Sequence, residues 1–307
     1  MTLDRPEQLL AVLLVEAALG YPAWLLRRVG HPVTWAGQLI AAMDRHWNRA
    51  GWQLGGGIAA MLVLLIAGGG FGWVIERLAA GWAGTLAVIL IATTGLAQRS
   101  LWTHVAAVAA PLDRGELEAA RTALSHTVGR DTAALDESGI AAAAIETLAE
   151  SFCDGIAAPA LWFLALGLPG LFAFKCISTA DSMIGHREAR YELFGKASAL
   201  MDDALNWIPA RLSAVLLSLA GGGGWRIVRR DARNHLSPNA GWPESAMAGA
   251  LGVTLGGGAF YDGEWTARQT LGEGPRPAPA DLRRAMRVFL RAIVLLWLGV
   301  GALAWLR

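Results

Sequence analysis

The chain has 307 residues, of which 54% are hydrophobic and 17% charged. An average soluble domain carries about 25% charged residues, so the composition excludes a disordered chain and argues against an ordinary soluble enzyme. A formal net charge of +1 leaves no overall basic field to draw in nucleic acid.

Taken from the N-terminus, the first apolar run is 9–26, interrupted by Glu16 and by Gly20-Tyr21-Pro22. It lacks a basic start and a small-residue cleavage site, so it reads as a retained membrane helix. The runs 53–75 and 78–98 carry no charge and are separated by Glu76-Arg77. Each reaches the ~20 residues that cross a bilayer, which predicts a transmembrane helical hairpin. The polar stretch 99–154 follows, with an amphipathic helix expected over 111–124 and a second over 140–154. The run 156–174 contains Pro159 and Leu168-Pro169-Gly170, which predicts a kinked or re-entrant segment. The run 204–225 holds one charge, Arg211. A Gly/Pro-rich loop spans 272–279, Asp281 is the expected N-cap of the last helix, and 288–306 can cross if Arg291 snorkels.

These runs predict an all-α, polytopic helical integral membrane protein. It is read as one membrane domain over 1–307 with cytoplasmic helical insertions and re-entrant segments. No ten-residue alternating segments of a barrel occur. Arg27, Arg28, Arg45 and Arg49 precede the hairpin and Arg99, Arg114, Arg121 and Arg130 follow it. The hairpin tip is therefore expected outside and its flanks in the cytoplasm. Whether 156–174 crosses fully decides the side of 175–203. Cys153 and Cys176 form no CxxC pair or zinc spacing and read as free thiols.

Polar groups beside apolar runs are costly and point to function. Glu146, Glu150 and Asp154 recur at i, i+4, i+8 on one helix face, where like charges repel. This pattern suits a Mg²⁺ site or a clamp on a cationic substrate group, or else a solvated face, and Glu146 is the member most readily read as solvated. Lys175, Thr179, Asp181, Ser182 and His186 follow an apolar run at offsets that suit a phosphate-and-metal site. The alternatives are an interfacial anchor for Lys175 and a capped loop histidine for His186. Asp202 and Asn206 share a face, with Asp203 rotated by about 100°. Arg211 has Asp202 or Asp203 as its nearest carboxylate in sequence, and a structural ion pair is the competing reading. Last comes a dense polar loop with Arg233, His235, Asn239 and Glu244, leading into the glycines of 246–258. That arrangement suits anion or substrate binding.

In these motifs the sequence resembles the CobD/CbiB family of cobalamin biosynthesis. The likeness is carried by Gly129-Arg130-Asp131-Thr132, Glu150-Ser151-Phe152-Cys153-Asp154-Gly155, Lys175 through His186, Asp202 through Arg211, and Ser237-Pro238-Asn239-Ala240-Gly241-Trp242-Pro243-Glu244. It covers nearly the whole chain, from Gly20-Tyr21-Pro22 and His31-Pro32-Val33 to Gly256-Gly257. Family members often carry Asp where Tyr21 stands and Asn where Ser151 and Ser178 stand, which weakens any role for those three positions.

The resemblance implies a bacterial inner-membrane enzyme, adenosylcobinamide-phosphate synthase, with its active site on the cytoplasmic side. It would join adenosylcobyric acid to (R)-1-amino-2-propanol or its O-phosphate, using ATP and Mg²⁺ and no tightly bound prosthetic group. Lys175, Asp181, Glu150, Asp154 and His186 would then be catalytic. Arg130, Thr179, Ser182, Asn206, Arg211, Arg233, His235, Asn239 and Glu244 would contact substrate or phosphate. A subset of Glu150, Asp154, Asp181, Asp202 and Asp203 would hold Mg²⁺. The lipid bilayer is the expected surrounding, and an oligomer is compatible with these runs. The competing readings are a non-catalytic membrane sensor resembling AmpE and a corrinoid transporter. A transporter would hold its ionisable residues at mid-membrane, whereas here most are expected at span ends or in loops.

Overall fold

A computed structural model describes residues 3–186, 188–261 and 263–306. In chain order the helices begin with α1 (Arg5–Leu19), α2 (Ala23–Val29), α3 (Pro32–Trp47), α4 (Gln53–Leu78) and α5 (Gly81–Ala92). A 3₁₀ turn at Thr93–Gly95 leads to α6 (Gln98–Asp113), α7 (Leu117–Ser125) and α8 (Glu137–Phe152). A π-helical turn at Cys153–Ala157 precedes α9 (Ala158–Leu166), α10 (Leu168–Ile184), α11 (Lys196–Gly221) and α12 (Trp225–Asp231). After a 3₁₀ turn at Ala232–Asn234 come α13 (Gly241–Leu251), four short strands and the C-terminal α14 (Pro279–Trp305).

Among the described residues, five helical stretches are long and apolar enough to cross a membrane: Gln53–Leu78, Gly81–Asp113, Glu137–Leu166, Lys196–Gly221 and Pro279–Trp305. Arg5–Leu19 with Ala23–Trp47 adds a sixth if that pair, bent by 100°, is one span. The chain is a multi-pass helical membrane protein, with its first hairpin where the uncharged runs predict it.

Several boundaries differ from expectation for local reasons. The helix expected at 111–124 begins only at Leu117. Pro111 instead closes α6, and Gly115, at φ +74°, breaks the chain between the two helices. The crossing-length stretch is Glu137–Leu166 rather than 156–174, because Gly167 (φ +71°) caps one helix and starts the next. Asp281 lies inside the first turn of α14, and its carboxylate accepts from the Ala278 N–H instead of forming the N-cap.

The chain forms two compact units. The first comprises Met1–Ala97, Ala158–Asn206 and Val300–Arg307; the second comprises Gln98–Ala157 and Trp207–Gly299. In the first unit α10 packs along α4 over a core that includes Ile40, Met43, Leu64, Ile177, Ile184 and Phe194. Small residues permit the approach. A Cβ at Gly68 would lie 2.5 Å from the Phe172 carbonyl oxygen, and one at Gly72 would lie 2.4 Å from the Leu168 carbonyl carbon. The Glu76 carboxylate accepts from the Leu168 N–H at 2.9 Å, so the tip of the first hairpin caps α10.

In the second unit Phe152 meets Phe289 edge to face, with centroids 6.0 Å apart. Strands β1 (Thr254–Gly256) and β4 (Thr270–Gly272) pair antiparallel around buried Leu255 and Leu271. Strands β2 (Ala259–Tyr261) and β3 (Glu264–Thr266) pair as a second ladder with Phe260 opposite Trp265. Asp131 holds this hairpin: its N–H donates to the Phe260 carbonyl, and its carboxylate accepts from the Gly263 N–H, each at 2.8 Å.

The α4–α10 contact sets a prediction. Gly72→Val overpacks a site bounded by backbone, and such overpacking costs about 1–3 kcal/mol. Its melting temperature in detergent should fall clearly, while Gly70→Ala, where a Cβ meets nothing within 4 Å, should melt like the parent.

Candidate functional site

The polar motifs gather into two groups, one in each unit. The first lies where the C-terminal half of α10 carries Lys175, Thr179, Asp181 and Ser182, and the first turns of α11 carry Asp202, Asp203 and Asn206. The i, i+4 spacing lets the Asn206 amide donate to the Asp202 carboxylate at 3.0 Å. The other Asp202 oxygen, Oδ1, is buried with no hydrogen-bond partner among the described residues. Burial, then the Asp203 carboxylate, push the Asp181 carboxyl above its ordinary value, against the opposing pull of His186. His186 itself is exposed. A Cβ at Gly185 would sit 2.0 Å from Asp181 Oδ1, so this carboxylate lies directly on the glycine.

Two expected phosphate contacts in this group are differently engaged. The Thr179 hydroxyl donates to the Lys175 carbonyl at 2.6 Å and the Ser182 hydroxyl to the Ser178 carbonyl at 2.9 Å. Both donors thus serve their own helix. His31 was quoted in the sequence motifs but given no role. It caps α3 through Nδ1, packs edge-on to Tyr21 with ring centroids 4.5 Å apart, and lies within electrostatic reach of Lys175.

The second group centres on Glu146. The sequence favoured a solvated position for this residue, but it is only 2% exposed. Arg130 donates to Glu146 Oε2 in a close ion pair, and the Gly256 N–H donates to Oε1 at 2.8 Å. Arg268 lies 3.6 Å from Glu146 Oε2 and 3.8 Å from Glu244 Oε1. One Arg268 nitrogen stands 2.8 Å from His235 Nε2. The Ser237 N–H donates to His235 Nδ1 at 3.0 Å, and Nε2 also lies 3.6 Å from Glu244 Oε1. Burial, then the Arg268 charge, hold His235 below its ordinary value, against the Ser237 backbone contact and the Glu146 charge.

Glu244 is 1% exposed, and among the described residues neither of its oxygens has a hydrogen-bond partner. Burial, then the Glu146 and Glu150 carboxylates, raise its carboxyl well above the ordinary value despite Arg268 and Arg130. Gly241 makes this crowding possible, since a Cβ there would lie 2.2 Å from the Ala232 carbonyl oxygen and 2.6 Å from His235 Cβ.

Glu150 is exposed on α8 and Asp154 falls within the π turn, which alters the pitch. The regular i, i+4, i+8 face thus ends before Asp154. Among the described residues no carboxylate pairs with Arg211. It donates to Asn239 Oδ1 at 2.8 Å and to the Trp207 carbonyl at 2.9 Å, between the Trp207 and Trp242 rings at 4.5 and 4.4 Å. Arg233 is exposed, and its charge reaches Arg211. Glu146, Glu150, Asp154, Asp202, Asp203 and Arg211 all fall inside stretches long enough to cross a membrane. Arg130, Lys175, Asp181, His186, Arg233, His235 and Glu244 lie outside those stretches. Arg268 was not singled out at all; its only sequence signal is an arginine in a short loop between small-residue turns.

The buried carboxyl has a consequence for stability. The folded chain holds the Glu244 proton more tightly than the unfolded chain does, so stability falls as pH rises above the ordinary value of 4.5. Glu244→Gln removes this proton. Its melting temperature, compared with the parent between about pH 5 and 8, should gain on the parent steadily as pH rises. A constant difference would contradict a protonated Glu244.

The CobD/Cbib protein family profile matches residues 9–289. A cobalamin biosynthesis protein CobD from Rhodobacter capsulatus is 47% identical over 300 residues, covering 94% of each chain. The protein of the same name from Brucella anthropi is 46% identical over 291 residues, covering 88% of this chain and 87% of its own. That from Rhizobium meliloti is 41% identical over 315 residues, covering 96% of each. No solved structure matches the chain. With a profile that runs almost end to end and relatives this similar over their full length, the chain belongs to the CobD/CbiB family.

Proposed function

We propose that the chain is an ATP-dependent ligase of cobalamin biosynthesis in the bacterial inner membrane, with its active site on the cytoplasmic side. It joins adenosylcobyric acid to (R)-1-amino-2-propanol or its O-phosphate. The observation that carries this reading is the carboxylate group of Asp181, Asp202 and Asp203 beside Lys175, with one buried Asp202 oxygen unpartnered among the described residues. It occurs in a family whose relatives are named for cobalamin biosynthesis.

The chemistry explains why such a group is needed. A carboxylate is a poor electrophile and an ammonium has no lone pair, so acid and amine do not condense at neutral pH. In the proposed route a carboxylate oxygen of the acid attacks the γ-phosphorus of ATP, ADP leaves, and an acyl phosphate forms. The amine nitrogen then attacks the acyl carbon, inorganic phosphate leaves, and the ammonium proton passes to a base.

Among the described residues no three His, Cys, Asp or Glu side chains are placed to hold a metal ion by themselves. Mg²⁺ ordinarily uses one or two carboxylates together with substrate phosphates, and the unpartnered Asp202 oxygen fits that demand. Asp202 and Asp181 are the assigned ligands, with Asp203 beside them. When bound, the ion neutralises charge on the transferring phosphoryl group. Lys175 supplies a second positive charge for the phosphates. His186, exposed next to Asp181, is the assigned acceptor of the amine proton.

Two measurements test the proposal. Asp202→Asn and Lys175→Ala should each lower ligation by about 100-fold or more while the protein still inserts in the membrane, and chelation of divalent cations should stop the parent reversibly. A strain blocked at this ligation should regain B12 synthesis when given the gene. Full expression without recovery would refute the ligase, and restored corrinoid uptake in its place would identify a transporter.

A further inference from the structure

We infer that α14 carries a site for an anionic phospholipid, with the lipid phosphodiester between Arg287 and Arg291 and an acyl chain along Leu290, Val294 and Leu298. The inference goes beyond the ligase reading and does not depend on it.

The argument begins with the two faces of the helix. Ala285, Phe289, Ala292 and Leu296 are buried and recur at helical spacing along one side. Arg287, Arg291, Val294 and Leu298 recur at the same spacing along the opposite side, with Leu290 beside them, and all five are exposed. The outer face is therefore basic at its start and apolar beyond it. α14 is long and apolar enough to cross a membrane, so its exposed apolar stripe meets lipid chains. After Arg291 the next charge in the sequence is Arg307. Arginines at the end of such a run lie at the level of the headgroups.

Charge then selects the lipid. Arg283 pairs with Asp113, and Arg284 donates to Asp281 at 2.7 Å. Arg287 and Arg291 have no hydrogen bond or ion pair among the described residues. At i, i+4 their Cβ atoms are about 6 Å apart, a spacing at which like charges repel. A phosphodiester between two guanidinium groups converts that repulsion into two charge-assisted contacts. The two residues differ in height by about 6 Å, which fits a headgroup layer of about 5–7 Å on each side of the hydrocarbon. Once Asp113 and Asp281 have neutralised Arg283 and Arg284, two positive charges remain. A zwitterionic lipid brings its own ammonium and leaves both uncompensated. An anionic lipid has no such cation, and its chains cover the apolar stripe below the arginines.

The test uses the purified full-length protein in detergent, titrated with phosphatidylglycerol and with phosphatidylethanolamine of matched chains, with bound lipid counted by native mass spectrometry. The parent should bind phosphatidylglycerol roughly tenfold or more tightly than phosphatidylethanolamine, the scale expected of two arginines at an anionic surface. The double variant Arg287→Gln/Arg291→Gln should lose that preference while it melts like the parent and keeps the parent's affinity for phosphatidylethanolamine. Arg27→Gln/Arg28→Gln removes the same charge from α2, where adjacent residues do not face one another, and should keep the preference. Equal losses in the two double variants would reduce the effect to overall charge and overturn the site. So would a parent without preference, or an α14 variant that retains it. If millimolar inorganic phosphate displaces phosphatidylglycerol from the parent, the arginines hold free phosphate and the lipid assignment is wrong. If the parent is a dimer that Leu298→Gln splits, the stripe is an interface between copies of this chain, and the assignment is likewise overturned.

Discussion

The second unit depends on one ionised pair, Arg130 with Glu146. A carboxylate 2% exposed inside a stretch of crossing length is among the most costly groups a membrane protein can hold. It is stable there only because Arg130 and the Gly256 N–H take both of its oxygens. Removing one partner of such a pair leaves an uncompensated charge, typically worth about 3–5 kcal/mol. The pair also fixes position. Arg130 brings the Gly129–Asp131 segment to α8, Asp131 then holds the β2–β3 hairpin, and Gly256 ties β1 to the same carboxylate. Arg276, donating to the Gly256 carbonyl at 2.6 Å, closes that turn from the other side.

The first unit rests on a different constraint, the absence of side chains. Gly68 and Gly72 let α10 lie against α4, and the Glu76 carboxylate caps its start. Asp181 sits about 20 Å further along the same helix by the 1.5 Å rise per residue. Its carboxylate then rests on Gly185, while a Cβ at Gly195 would fall 1.6 Å from the Ile184 carbonyl oxygen. The acidic group is thus placed by backbone contacts at both ends of α10. Rigid elements of this kind hold reacting groups more accurately than loops do.

Much of this was legible in the sequence, for physical reasons that differ by feature. Uncharged runs of crossing length identify α4 and α5 because lipid tolerates little else. The i, i+4 relation of Asp202 and Asn206 is local, and the hydrogen bond between them follows from it. What depends on distant chain was not legible. Glu146 looks solvated until Arg130, 16 residues away, and Gly256, 110 residues away, are known to reach it. Arg268 has no local signal, because its partners come from α8 and from the turn before α13. The π turn at Cys153–Ala157 is likewise invisible to a fixed helical period, and it removes Asp154 from the face shared by Glu146 and Glu150. Arg211 was expected to seek a carboxylate. Its guanidinium is instead sandwiched between two tryptophans, a stabilisation that needs no opposite charge.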